Sequence, residues 1–174
     1  MVLDHPRISN LILNGATGEP DVAFLEGLPN LEIVEAVDTD FGSIRGLSSL
    51  RRLSSLEFAL TKPIGDLERL AELGDRLEYL RFERCRWLAD ISFARHLPKL
   101  IQLVVENCAE IASLEPLTDH PALEDLILER TWVADGRSSP LLTCPKLKDL
   151  DLYRSSTYDV PRAAITRHIA KRDR

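Results

Sequence analysis

The chain has 174 residues, 44% hydrophobic and 29% charged, and a formal charge of −6 that splits into −10 on residues 1–161 and +4 on residues 162–174. One soluble domain fits this length; no apolar run reaches the roughly 18 residues of a membrane span, Asp4, His5, Pro6 and Arg7 interrupt any secretory signal, and an acidic body repels nucleic-acid phosphate. Three cysteines, an odd number, argue against a disulfide framework and for a reducing cytoplasm.

One apolar phrase recurs seven times in chain order: Ile8-x-x-Leu11-x-Leu13, Leu31-x-x-Val34-x-Ala36, Leu53-x-x-Leu56-x-Phe58, Leu77-x-x-Leu80-x-Phe82, Leu100-x-x-Leu103-x-Val105, Leu123-x-x-Leu126-x-Leu128 and Leu147-x-x-Leu150-x-Leu152. Alternation such as Leu103 and Val105 between Gln102, Val104 and Glu106 is the period of a half-buried strand, so each repeat predicts one short strand of a parallel sheet. The return limbs change period to three, as in Val22/Leu25/Leu28, Ile44/Leu47/Leu50, Ile91/Ala94/Leu97 and Leu114/Leu117/His120, which predicts 3₁₀ or α turns. Asp21, Ser43, Asp66, Asp90 and Ser113 stand just before these triplets and are expected to serve as their N-caps.

Two repeats are irregular. Repeat three carries Lys62-Pro63-Ile64-Gly65 and an extra residue near Gly74-Asp75; repeat six replaces its apolar turn with Asp135-Gly136-Arg137-Ser138-Ser139-Pro140, a set of turn formers expected to bulge outward. Residues 156–174 form a cap or tail. Asp159-Val160-Pro161 predicts a helix start, with Ile165 and Ile169 at i,i+4 covering the last rung; the alternative is a basic tail docking an acidic partner. No dedicated cap is evident at the N-terminus beyond residues 1–6, which leaves the edge of the first strand exposed.

A period in the twenties with an LxxLxL core marks a repeat architecture whose units are stable only when stacked. The pattern resembles the leucine-rich-repeat superfamily over residues 8–155. It is closest to the short-repeat type of bacterial internalins and phosphatase-regulating repeat proteins, with the phrase LxxLxLxxNxIxDIxxLxxLxxL. The run from Leu77 through Asp90 to Ile91 follows that phrase with one extra residue, while the asparagine position holds Cys85, Cys108, Thr131 and Ser155. These residues can also donate to a carbonyl, more weakly. The resemblance implies a single α/β domain over residues 1–174: a right-handed curved solenoid with a parallel sheet on its concave face and short 3₁₀/α turns on its convex face.

No HExxH, GxSxG, P-loop or CxxC motif is present, so neither catalysis nor a cofactor is expected. Cys85 and Cys108 recur at one repeat position about 5 Å apart and read as two buried thiols; Cys144 and His120 occupy an apolar core slot, His120 as a satisfied histidine. A metal-dependent enzyme would have to use Asp125, Glu129, Asp149 and Asp151.

Outward-pointing strand residues form three columns. The first runs Asn10, Ile33, Ser55, Tyr79, Gln102, Asp125, Asp149; the second Ile12, Glu35, Glu57, Arg81, Val104, Ile127, Asp151; the third Asn14, Val37, Ala59, Glu83, Glu106, Glu129, Tyr153. Acids interleaved with apolar and aromatic groups suit a protein interface, although Arg81, Arg84 and Arg130 could simply neutralise a solvated face. The expectation is a monomeric recognition module that binds a basic protein partner, and neither nucleic acid nor membrane, through Tyr79, Arg81, Glu83, Val104, Glu106, Asp125, Ile127, Glu129, Asp151 and Tyr153, with Trp132 at the rim. A bacterial immunity protein that neutralises a basic toxin is the narrower alternative.

Overall fold

The architecture comes from a computed structural model that describes residues 7–153 and 157–172. Each phrase forms its strand from its third residue: β1 Asn10–Asn14, β2 Ile33–Val37, β3 Ser55–Ala59, β4 Tyr79–Glu83, β5 Gln102–Glu106, β6 Asp125–Glu129 and β7 Asp149–Leu152. All pair in parallel in sequence order, as an open sheet with β1 and β7 at its edges. The register is that of the repeats, so Phe58 lies beside Phe82 and Glu83 beside Glu106. Inward residues of β2 to β7 are buried in one continuous core. At its centre Phe82 stacks on Phe58 at 5.3 Å and meets Phe93 at 5.8 Å and Trp87 edge-on at 6.2 Å.

The return limbs are 3₁₀ turns at Ala23–Gly27, Leu47–Ser49, Leu67–Leu73, Ser92–His96, Glu115–Leu117 and Ser139–Thr143. The polar residues ahead of them do not act as N-caps. Asp21, Ser43, Asp90 and Ser113 instead accept the N–H two residues on, from Ala23 (3.0 Å), Arg45 (3.0 Å), Ser92 (2.8 Å) and Glu115 (3.0 Å), closing a side-chain turn one step earlier. Asp66 reaches back a whole rung: Ser43 Oγ and the Ile44 N–H donate to its two oxygens at 2.6 and 2.9 Å.

Just past each strand the chain takes a left-handed residue: Gly15, Asp38, Leu60, Arg84, Asn107 and Arg130, with φ between 49° and 66°. The first five of their N–H groups donate to a carbonyl on the next rung, as Arg84 does to Glu106 O at 2.8 Å. The following position forms a buried column of Thr39, Thr61, Cys85, Cys108 and Thr131. As expected of replacements for asparagine, the Cys85 thiol donates to Phe58 O (3.5 Å), that of Cys108 to Glu106 O (3.4 Å) and Thr131 Oγ1 to Glu129 O (3.3 Å). Ser155 and residues 1–6, with the question of an N-terminal cap, lie outside the described residues.

The expected bulge at 135–140 is only partial: Asp135 and Arg137 are exposed, but the chain turns inward from Ser138. Ser138, Pro140 and Leu141 are buried, because Asp159 of the next rung accepts the N–H groups of Ser138 (2.7 Å) and Ser139 (3.2 Å) and the Ser138 hydroxyl (3.2 Å). Beyond it, helix α1 (Arg162–Arg172) buries Ile165 and Ile169 against the last rung, as their spacing predicts. Its basic residues do more than face water: Arg172 donates to Cys144 O and Leu147 O, both at 2.6 Å, satisfying carbonyls at the end of the stack.

Candidate protein-binding face

The outward columns fall where the two-residue period puts them. What column order does not reveal is the reach of Arg81. Its guanidinium bonds Glu106 on β5 (2.6 and 3.2 Å) and Glu83 on its own strand (2.8 Å), and lies 3.5 Å from Glu57 on β3. One cation thus bridges three carboxylates at the middle of the face and offsets only part of their charge. Crossing toward Glu106, it passes beside its register partner Val104, which is only 4% exposed. Val104, expected among the partner-binding residues, is therefore buried rather than open on the face.

Even beside Arg81, the pKa of Glu57 is raised, first by burial and then by Glu35 on the preceding strand. Asp125 is raised by burial, then by Asp149 beside it and by Glu124. Asp151 pairs with Arg162, which leans in from α1 at 2.9 Å; that residue was expected only as part of the cap, and nothing in its local sequence signals the contact. Tyr79 is half-buried, and burial, then Glu57, raises its phenol. Ile127 is half-buried and Glu129 exposed. At the C-terminal end Trp132 packs on Tyr153, ring centroids 6.4 Å apart and tilted by 33°, with 40% of Trp132 exposed. The rings and Asp125, Ile127, Glu129 and Asp151 therefore lie together over β6 and β7.

The groups with reactive potential are locked into packing. His120 Nε2 meets Leu97 O at 3.1 Å while Nδ1 accepts the Leu123 N–H at 3.1 Å, which requires the neutral ring, and burial lowers its pKa. Cys85, Cys108 and Cys144 are free and buried. A hydrogen bond with Cys108 lowers the Cys85 thiol to about 7, and the same bond with burial raises Cys108. Among the described residues, Asp125, Glu129, Asp149 and Asp151 included, no three His, Cys, Asp or Glu side chains are grouped so as to hold a metal ion. Among the same residues no helix is long and apolar enough to cross a membrane.

No family model and no curated protein matches this chain. Solved structures do. An internalin of Listeria monocytogenes superposes with a TM-score of 0.63 at 24% identity, over 86% of this chain and 42% of its own. An internalin C2 of the same species gives 0.60 at 23%, over 75% and 55%. A plant peptide hormone receptor in complex with RGF2 gives 0.56 at 16%, over 78% and 23%. The chain thus spans about half the length of the internalins it matches. Seven in-phase parallel strands, 3₁₀ turns on the return limbs and these superpositions agree on one architecture: the chain folds as a leucine-rich-repeat solenoid.

Proposed function

We propose that this chain is a non-enzymatic recognition module that binds a basic protein partner in the cytoplasm, using the outer face of its sheet. The observation that carries the reading is the charge imbalance of that face. Glu35, Glu57, Glu83, Glu106, Glu129, Asp125 and Asp149 project from it, and within the strands only Arg81 answers them. Neighbouring rungs lie about 5 Å apart, where like charges repel by about 1 kcal/mol in water and more where water is displaced; a basic partner relieves that repulsion as it docks. Half-buried Tyr79, Ile127 and Tyr153 and exposed Trp132 add the apolar and aromatic area that anchors interfaces. A receptor of similar fold solved in complex with RGF2 supports macromolecular partners by analogy of fold. Three free, buried thiols suit a reducing compartment. An antagonist that masks a basic toxin is a narrower form of the same reading.

The test is capture of the partner from the native host followed by binding kinetics. Glu35→Lys with Asp149→Lys leaves every Arg81 contact in place; it should slow association about tenfold at low salt and flatten its salt dependence, since charge governs encounter. Unchanged association by this variant, with circular dichroism showing an intact fold, would place the binding surface elsewhere.

A further inference from the structure

We infer that the rim just past β3 and β4, at Leu60, Lys62, Arg84 and Arg86, binds an acidic peptide segment that carries one apolar side chain. This surface is separate from the acidic face and independent of the reading just given. On a body that carries −10 over residues 1–161, the rim gathers three exposed cations around an exposed leucine. Buried Thr61 and Cys85 meet at 3.4 Å, Oγ1 to Sγ. Leu60 and Lys62 flank the first and Arg84 and Arg86 the second, so this contact sets the two pairs side by side. Trp87 spans the same two rungs, its indole N–H donating to Thr61 O at 2.9 Å. Backbone bonds hold the rim in place: Leu60 N–H to Glu83 O (2.9 Å), Lys62 N–H to Thr39 O (3.0 Å) and Arg84 N–H to Glu106 O (2.8 Å). A surface built before binding loses less entropy when it binds.

Three features of this rim cost stability. Leu60 leaves 46% of its surface open. Leu60 and Arg84 take φ of 58° and 53°, a left-handed conformation that Gly15, Asp38 and Asn107 fill more readily at the same position of other repeats. Rungs lie about 5 Å apart, so the cations repel one another. Among the described residues their one ion pair is Arg84 with Glu83 at 3.8 Å, and Arg81 already holds that carboxylate at 2.8 Å. A ligand that covers Leu60 and neutralises the cations relieves the first and the third.

The neighbouring rung sets its direction. Asp38 and Asp40 stand one repeat before Leu60 and Lys62, both exposed, and drive ligand acids toward Arg84 and Arg86, leaving the apolar side chain for Leu60. Alternate residues of an extended peptide lie about 7 Å apart, close to the rung spacing, so the segment reads apolar-x-acid-x-acid.

The probes are a peptide of one leucine followed by two glutamates, each spaced by glycine, and two controls, with alanine for the leucine or lysine for the glutamates. The chain has two tryptophans, so their indole N–H resonances separate this rim, at Trp87, from the far end of the acidic face, at Trp132. The leucine–glutamate peptide should shift Trp87 and leave Trp132, and should weaken about fivefold between about 0.05 and 0.3 M salt; the alanine control should bind about fivefold more weakly. Arg84→Asn with Arg86→Gln should abolish binding. Leu60→Asn should weaken it about fivefold while the melting temperature holds or rises, because asparagine suits left-handed backbone. Binding that survives the double variant, a shift at Trp132 alone, an equal Trp87 shift with the lysine control, or a melting temperature lowered by Leu60→Asn overturns the inference. Self-association that the double variant abolishes overturns it too, by making the occupant a second copy of the chain. Binding of no peptide overturns it and leaves the acidic face standing.

Discussion

Arg81 shows how much of the candidate face a single residue organises. Its three carboxylate partners come from three strands, so without it Glu57, Glu83 and Glu106 would face one another across neighbouring rungs. Arg81→Ala should destabilise the fold by about 1–3 kcal/mol at pH 7, the range for bonds between partly shielded charged groups. The pH dependence has a definite direction. Glu57 already has a folded pKa raised above its ordinary 4.5, and loss of Arg81 raises it further; the penalty therefore applies where the carboxylate is ionised and shrinks as pH falls through these raised values toward 4.5. Thermal melts of both proteins at pH 7 and pH 4 check this: a gap equally wide at both values would show that Arg81 acts through packing alone. The sequence places Arg81 and its acids in their columns, because a period of two fixes which side chains share a face. It does not show the diagonal bond to Glu106 or the burial of Val104 beneath it, since both depend on a long side chain choosing among several neighbours.

At the scale of the element, strands were legible and turns only partly so. The left-handed position after each strand is hidden because Leu60, Arg84 and Arg130 occupy it in three repeats, whereas Gly15, Asp38 and Asn107 are types that adopt it more readily. Among the polar residues ahead of the turns, Asp66 and Asp159 cross to a neighbouring rung, which no spacing within one repeat can indicate. Asp159 matters for the C-terminal cap. Burial pushes its carboxyl up, but donors from Ser138 and Ser139 outweigh this and hold it at about 2. A folded-state pKa below the ordinary 3.8 means that the native state holds this proton less tightly than the unfolded chain. The contribution is complete above pH 3.8 and is lost as pH falls toward 2. Asp159→Asn should therefore be less stable than the wild type at about pH 4.5 and converge on it at about pH 2, which removes part of the stability loss between the two. Urea melts at pH 4.5, 3 and 2 measure this; parallel pH profiles for the two proteins would remove Asp159 from the acid response of the cap.

The whole molecule is a stack in which each rung touches only its neighbours, so local damage should stay local. Gly46 offers a sharp test. Its φ is +109°, and a Cβ there would stand 2.5 Å from Ala23 Cα and 2.8 Å from Ala23 N on the preceding return limb. Both neighbours are backbone, so no side chain can swing aside. Gly46→Ala should cost about 3 kcal/mol through the forced left-handed conformation and the separation of the first two turns. In a globular core that penalty would be felt everywhere. Here β4 to β7 are held by Phe82, Phe93 and Trp87 on one side and α1 on the other, all on rungs beyond the one that carries Gly46. Amide hydrogen exchange should therefore fall about a hundredfold in protection over β1 and β2 while β4 to β7 keep theirs. Uniform loss from β1 to β7 would mean that the stack unfolds as one unit. The same variant separates stability from recognition: with Glu83, Glu106 and Glu129 on β4 to β6, at least two rungs from Gly46, it should still bind the basic partner even as its melting temperature drops.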